Sequence, residues 1–253
     1  MRDNQRMPFL PAEPWLWLLA WALAVGRVHA DGERDDADEA SQAADRERMV
    51  TDHIVSRGVR DASVIAAMRD VPRHLFVPGA LRSRAYADHP LHIGHGQTIS
   101  QPYIVALMTE LARPRPTDRV LEVGTGCGYQ AAVLSRVARH VFSMEINDDL
   151  HRQAAERLSR LGYANVTLAR ADGHVGWISE APFDVVLVTA APERVPQPLI
   201  DQLAPGGRLV IPVGPLEAQE LCLIEKDEDG RTQTTGVVPV RFVPMVKGSE
   251  EKP

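Results

Sequence analysis

Three glycines within five residues, Gly124, Gly126 and Gly128, break the run Val120-Leu121-Glu122-Val123-Gly124-Thr125-Gly126-Cys127-Gly128-Tyr129-Gln130 where a β-rich stretch gives way to a helical one. Glycine tolerates positive φ and puts no Cβ in a ligand's way, so such a turn at the carboxyl end of a strand suits a nucleotide-like cofactor. Glu145 closes the next β-rich run, where a carboxylate can accept both ribose hydroxyl hydrogens. Asp172-Gly173 closes a third, where the aspartate can accept from an adenine amino group and the glycine admits the ring. The dinucleotide fingerprint needs a further glycine at 129, and Tyr129 stands there, so hydride transfer is the weaker reading. Glu122, Glu145 and Asp172 together describe an acidic cleft, which tolerates a sulfonium cation and repels phosphates. The pattern points to S-adenosylmethionine.

The elements that must hold these residues alternate. Val120–Val123 precedes a helical stretch over 129–138, Val141–Met144 precedes one over 149–161, and the runs Val166–Leu168, Val185–Val188 and Leu209–Val213 follow. Alternation of this kind predicts an α/β fold: a mainly parallel, Rossmann-like sheet with helices on both faces. Beyond Gly214 the runs 219–225, 232–238 and 240–246 have no helix between them and should add antiparallel strands at the carboxyl-terminal edge. Ahead of the sheet, residues 49–70 suit two short helices broken at Gly58. After a loop over 85–99, Ser100 is placed to cap a helix that carries Ile104, Val105, Met108 and Leu111 on its apolar side, with Pro102 in the first turn.

Composition excludes several classes. The chain has 253 residues, 44% hydrophobic and 25% charged, enough for one sizeable core. A net charge of −6 and 5% aromatic content argue against nucleic acid as a partner. Cys127 and Cys222 are too few for a disulfide framework or a Cys-rich zinc site. His89, His92 and His95 lie three apart, but Pro90 and Gly94 break helical geometry and no ligand follows at metal spacing, so no metal is expected. Cys127 reads as a small, half-buried filler of the cofactor turn.

Several segments carry a more specific pattern. Gly94-His95-Gly96-Gln97-Thr98-Ile99-Ser100-Gln101-Pro102, the Glu122–Gln130 block, Asp172-Gly173, Pro182-Phe183-Asp184, Leu203-Ala204-Pro205-Gly206-Gly207 and Val240-Arg241-Phe242-Val243-Pro244 resemble the protein-L-isoaspartate O-methyltransferase family of bacterial type, over residues 49–248. The glycine blocks are common to many class I methyltransferases, whereas the Gly96–Pro102 loop and the Arg241–Pro244 segment are specific to that family. The resemblance implies S-adenosylmethionine-dependent methylation of the free carboxylate of isoaspartyl residues in damaged peptides and proteins, which starts their repair. It assigns Ser100 as the catalytic residue. It assigns Thr98, Ile99, Glu122, Gly124, Gly126, Gly128, Glu145, Asp172 and Gly173 to the cofactor, and Gln97, Thr98, Arg241 and Val243 to the substrate. His95 and Cys127 depart from what relatives often carry. The alternatives are a small-molecule methyltransferase sharing the cofactor half and a non-catalytic S-adenosylmethionine-binding module, and the Gly96–Pro102 loop argues against both.

The amino-terminal part lies outside the resemblance. Trp15–Val25 is an apolar block behind Arg2 and Arg6, and Val28-His29-Ala30 resembles a signal-peptidase site, while Met49 offers an alternative start. The block is too short to span a membrane. Residues 31–48 hold eight acids against three arginines and read as a disordered linker, leaving 49–253 as the methyltransferase domain, nearly neutral at −2. The methyl donor is a charged metabolite made in the cytoplasm, so the expected location is cytoplasmic; a cleaved leader would instead place the enzyme in the periplasm. A monomer is expected.

Overall fold

The computed structural model describes residues 39–248, so the leader over 1–30 and the first part of the acidic segment lie outside the described residues. Helix α1 begins at residue 39 and is wound as a π-helix over Met49–Val55. The compact unit that contains Met49 begins at Asp45. Met49 and Val50 are buried, and the charges just before them are paired: Glu47 with Arg69 at 2.8 Å, and Arg46 with the Tyr86 hydroxyl at 3.4 Å. Those contacts order residues whose composition alone offers nothing to bury.

Gly58, at φ +105°, ends the first helical segment and α2 (Ala62–Asp70) follows, capped by Asp61, which accepts from the amides of Ser63 and Val64. A two-stranded antiparallel ribbon, β1 (Leu91–Gly94) and β2 (Gln97–Ile99), leads to α3 (Pro102–Ala112). The main sheet then builds from β3 (Arg119–Val123), α4 (Tyr129–Ser135), β4 (His140–Glu145), α5 (Asp148–Arg160), β5 (Val166–Arg170), β6 (Phe183–Val188), α6 (Gln197–Asp201), β7 (Leu203–Val213), β8 (Gln219–Lys226) and β9 (Thr232–Val240). The strand order is β5-β4-β3-β6-β7-β8-β9, with β3 to β7 parallel and β8 and β9 antiparallel. The order reverses at β3, so the crevice at the carboxyl ends of β3 and β6 is where a ligand is expected.

Side chains alternate across the sheet as strand geometry requires. Val120, Val141, Val185 and Leu187 face the layer made by α2 to α5, while Leu121, Phe142, Val186 and Val188 face a second core closed by α6 and Trp177. Helices thus cover both faces. Two expectations fail locally. The run 240–246 is not a strand of the sheet: β9 ends at Val240, and the chain then crosses to the carboxyl ends, where Ala191 donates to Val243 O and accepts from the Met245 amide, both at 2.9 Å. Ser100 is not the cap of α3 either; Gln101 holds that position, and its side chain bonds Asp88 instead of the helix. Pro102 takes the first helical position, where one of the amides that a cap would satisfy is missing. No helix among the described residues is long and apolar enough to cross a membrane.

Candidate active site

β3 runs into the turn at Gly124, whose amide and that of Thr125 both donate to Met144 O, at 2.8 and 3.0 Å, fastening the turn to the end of β4. Gly124 has φ +100°, and a Cβ there would stand 2.3 Å from Thr189 Oγ1, so only glycine fits. The Gly126 amide donates to Glu145 Oε2 at 2.8 Å, and the Asn147 amide donates to Oε1 at 2.9 Å. Each oxygen keeps a lone pair. The carboxylate is held rigid at the end of β4 with acceptor capacity left over for a diol.

These groups wall a cleft that is open to solvent at the carboxyl ends of β3 and β4. Gln97, Thr98, Ile99 and Ser100 form one wall, the Gly124–Cys127 turn its floor, and Val243–Val246 a flank. Of the expected cofactor residues the structure brings together Thr98, Ile99, Gly124, Gly126, Glu145 and Gly173; of the expected substrate residues, Gln97, Thr98 and Val243. The remainder lie elsewhere. Gly128 caps α4 at φ +88°, where a Cβ would crowd the Leu158 side chain. Arg241 is exposed and outside the lining. The Asp172 carboxylate sits at the rim, accepting from the amides of His174 and Gly248, both at 2.9 Å. Burial pushes its pKa up, but those amides and the His174 ring outweigh that and hold it below the usual carboxylate range.

Glu122 is the main correction to the acidic cleft. Its side chain points away from the cavity, on the face of β3 that carries Val120, and it is fully buried. It accepts from Ser143 Oγ, which lies 2.6 Å from Thr125 Oγ1. Burial pushes the Glu122 carboxyl up to about 8, so it is neutral near pH 7 and supports the turn from beneath. Among the described residues, Glu145 is then the only charged one in the lining. Cys127 is more enclosed than the expected half-buried filler; burial also raises its thiol pKa.

Sequence reasoning missed Thr189, Ile146 and Met245. Thr189 follows β6 directly, and its hydroxyl donates to Gly124 O at 2.6 Å. A hydroxyl just past a strand beside β3 was the available signal. Ile146, Ala171 and Met245 supply apolar wall next to the Glu145 carboxylate, as a nucleoside requires: a diol acceptor beside a surface for a purine. The residues present therefore fit S-adenosylmethionine.

A glycine turn at the reversal point of a parallel sheet, a carboxylate at the end of the next strand and Tyr129 where the dinucleotide fingerprint needs glycine are the arrangement of a class I S-adenosylmethionine-dependent methyltransferase. The profile of the protein-L-isoaspartate(D-aspartate) O-methyltransferase family matches residues 44–250, and the chain belongs to that family. It is similar to protein-L-isoaspartate O-methyltransferase 1 of Syntrophobacter fumaroxidans, 55% identical over 79% of this chain and 94% of that protein. The protein-L-isoaspartate O-methyltransferase of Opitutus terrae is 50% identical over 94% of this chain and 98% of its own length. Among solved structures, a protein-L-isoaspartate O-methyltransferase superposes with TM-score 0.70 at 31% identity, covering 79% of this chain; this chain spans 65% of that protein's length. A Plasmodium falciparum structure of the same class, in complex with S-adenosyl-L-homocysteine, gives TM-score 0.70 at 25% identity over 82% of this chain and 99% of its own.

Proposed function

We propose that the Ser100 end of the cleft receives the free carboxylate of an isoaspartyl residue, so that the chain methylates damaged proteins and peptides with S-adenosylmethionine as donor. The observation that carries this is the state of Ser100. It lines the cleft, its carbonyl is fixed by Arg73 Nη2 at 2.7 Å, and among the described residues no group bonds its hydroxyl, which is left to meet a ligand. The donor, when bound, supplies an electrophilic methyl group on a sulfonium. An isoaspartyl α-carboxylate is already ionised at neutral pH, so the site has no proton to remove and needs no general base. What the chain would supply is alignment: the Ser100 hydroxyl would donate to one carboxylate oxygen, and the cleft walls would orient the other toward the donor. Alignment of this kind is worth up to about 7–11 kcal/mol of barrier. The carboxylate oxygen bonds to the methyl carbon as the carbon–sulfur bond breaks, leaving a methyl ester and a neutral thioether. The neighbouring backbone amide nitrogen then displaces methanol from the ester to close a succinimide, which hydrolyses in part to normal aspartate, and that is the repair.

Turnover of an isoaspartyl peptide beside its aspartyl twin tests the reading. Methyl incorporation into the isoaspartyl peptide alone is expected; equal labelling, or labelling of small carboxylates only, overturns it. The reading extends to a monomeric enzyme working in the cytoplasm, where its donor is made, and not on nucleic acid. A mature chain beginning at Asp31 in a periplasmic fraction would overturn the location.

A further inference from the structure

The carboxylate expected at Ser100 enters a cleft whose only charged lining residue among those described, Glu145, repels it. The nearest structural answer is Arg73, which lies just behind the wall. Arg73 is completely buried in the 3-10 turn Arg73–Phe76 and, unusually for a buried arginine, no carboxylate among the described residues pairs with it. Its Nε donates to Ala85 O and its Nη2 to Ser100 O, both at 2.7 Å; Nη1 has no acceptor. Its guanidinium carbon lies 4.9 Å from the centre of the Tyr129 ring, which itself lines the cleft. An arginine remains protonated in proteins, so a full positive charge sits in a low-dielectric setting one backbone carbonyl away from the substrate wall.

Hydrogen bonding to two carbonyls does not by itself require a buried cation, since burying one without a counter-ion is costly. A cost of that kind is repaid when an anion arrives. We propose that Arg73 is a positioning residue for the methyl acceptor: its fork fixes Ser100 against the 79–85 turn, and its uncompensated charge makes the Ser100 end of the cleft selective for a carboxylate. The inference rests on the isoaspartyl reading above.

The test compares binding of an isoaspartyl peptide and of the same peptide with that α-carboxylate converted to the neutral carboxamide. Both are measured by calorimetry with S-adenosylhomocysteine present, so that the donor's sulfonium charge is absent. The wild-type protein should favour the carboxylate by about tenfold or more, Arg73→Gln should reduce that ratio to about one to two, and S-adenosylhomocysteine affinity should stay within about twofold. A folded Arg73→Gln protein that keeps the wild-type ratio overturns the proposal. Arg73→Lys retains charge but loses the fork, so it should keep the ratio within about threefold while kcat drops by about tenfold. Should Arg73→Gln not fold, Arg73→Lys decides alone: unchanged kcat, or a ratio near one, overturns the proposal. Wild-type protein that fails to methylate the isoaspartyl peptide at all would instead overturn the isoaspartyl reading.

Discussion

The Thr189 hydroxyl donates to Gly124 O at 2.6 Å and stands 2.3 Å from where a Cβ on Gly124 would lie, so one side chain both latches the cofactor turn and forbids any other residue there. Gly124→Ala is expected to cost about 2–5 kcal/mol, part from left-handed strain and part from overpacking, with donor affinity lost alongside. Adding Thr189→Ala should recover only the steric part, because the φ of +100° remains. Urea unfolding of the two variants checks this; a Gly124→Ala protein as stable as the wild type would contradict the contact.

Much of this was legible in the sequence because it depends on backbone chemistry. The glycine turn, the alternation of strands and helices, and Glu145 at a strand end all leave local marks. The failures were tertiary. Alternation puts Glu122 on the Val120 face of β3, but nothing in the spacing says that this face turns away from the cleft. Nor does the composition of 240–246, rich in valine and apt for a strand, disclose that Ala191 claims the bonds of Val243 and Met245 at the carboxyl ends. At the end of the acidic stretch, Arg46 and Glu47 are held by Tyr86 and Arg69, partners too distant in sequence for composition to disclose. Arg73 drew no notice at all: a single cation in a short turn gives no sign that it will be buried.

Ser100 offers a clean separation of roles, since Gln101 and not Ser100 holds the cap position of α3. Ser100→Ala should leave stability within about 0.5 kcal/mol and donor affinity within about twofold. Turnover on an isoaspartyl peptide should drop by about 10- to 100-fold, as for loss of one oriented donor in an active site. Full turnover with about 1 kcal/mol of lost stability would return Ser100 to a capping role.

Glu145 accepts one backbone amide on each oxygen, from Gly126 and from Asn147. In Glu145→Gln, whichever way the amide group sits, its NH2 must face one of those N–H donors. The variant is therefore expected to lose about 1–3 kcal/mol of donor binding, together with a lower melting temperature in the absence of donor. Calorimetric titration with S-adenosylmethionine reads the first effect, and affinity equal to the wild type would remove Glu145 from the site.

Glu122 ties stability to pH in the direction opposite to most carboxylates. Burial raises it from 4.5 to about 8 in the folded chain, so between those values the folded protein holds a proton that the unfolded chain has released. The unfolded state then binds fewer protons, and stability must decline as pH rises through that window, being fully present below the unfolded value and lost once the folded value is passed. The decline is limited to about 1.4 kcal/mol per pH unit for one group. Glu122→Gln keeps an acceptor for Ser143 but cannot ionise, so its unfolding free energy should decline less steeply than that of the wild type from pH 5 to 8, making the variant relatively more stable at the alkaline end. Urea titrations at several pH values measure both slopes. Parallel curves for the two proteins would mean that Glu122 is ionised in the folded state, and that the Ser143 and Thr125 hydroxyls beneath the cofactor turn support a buried charge instead of a neutral acid.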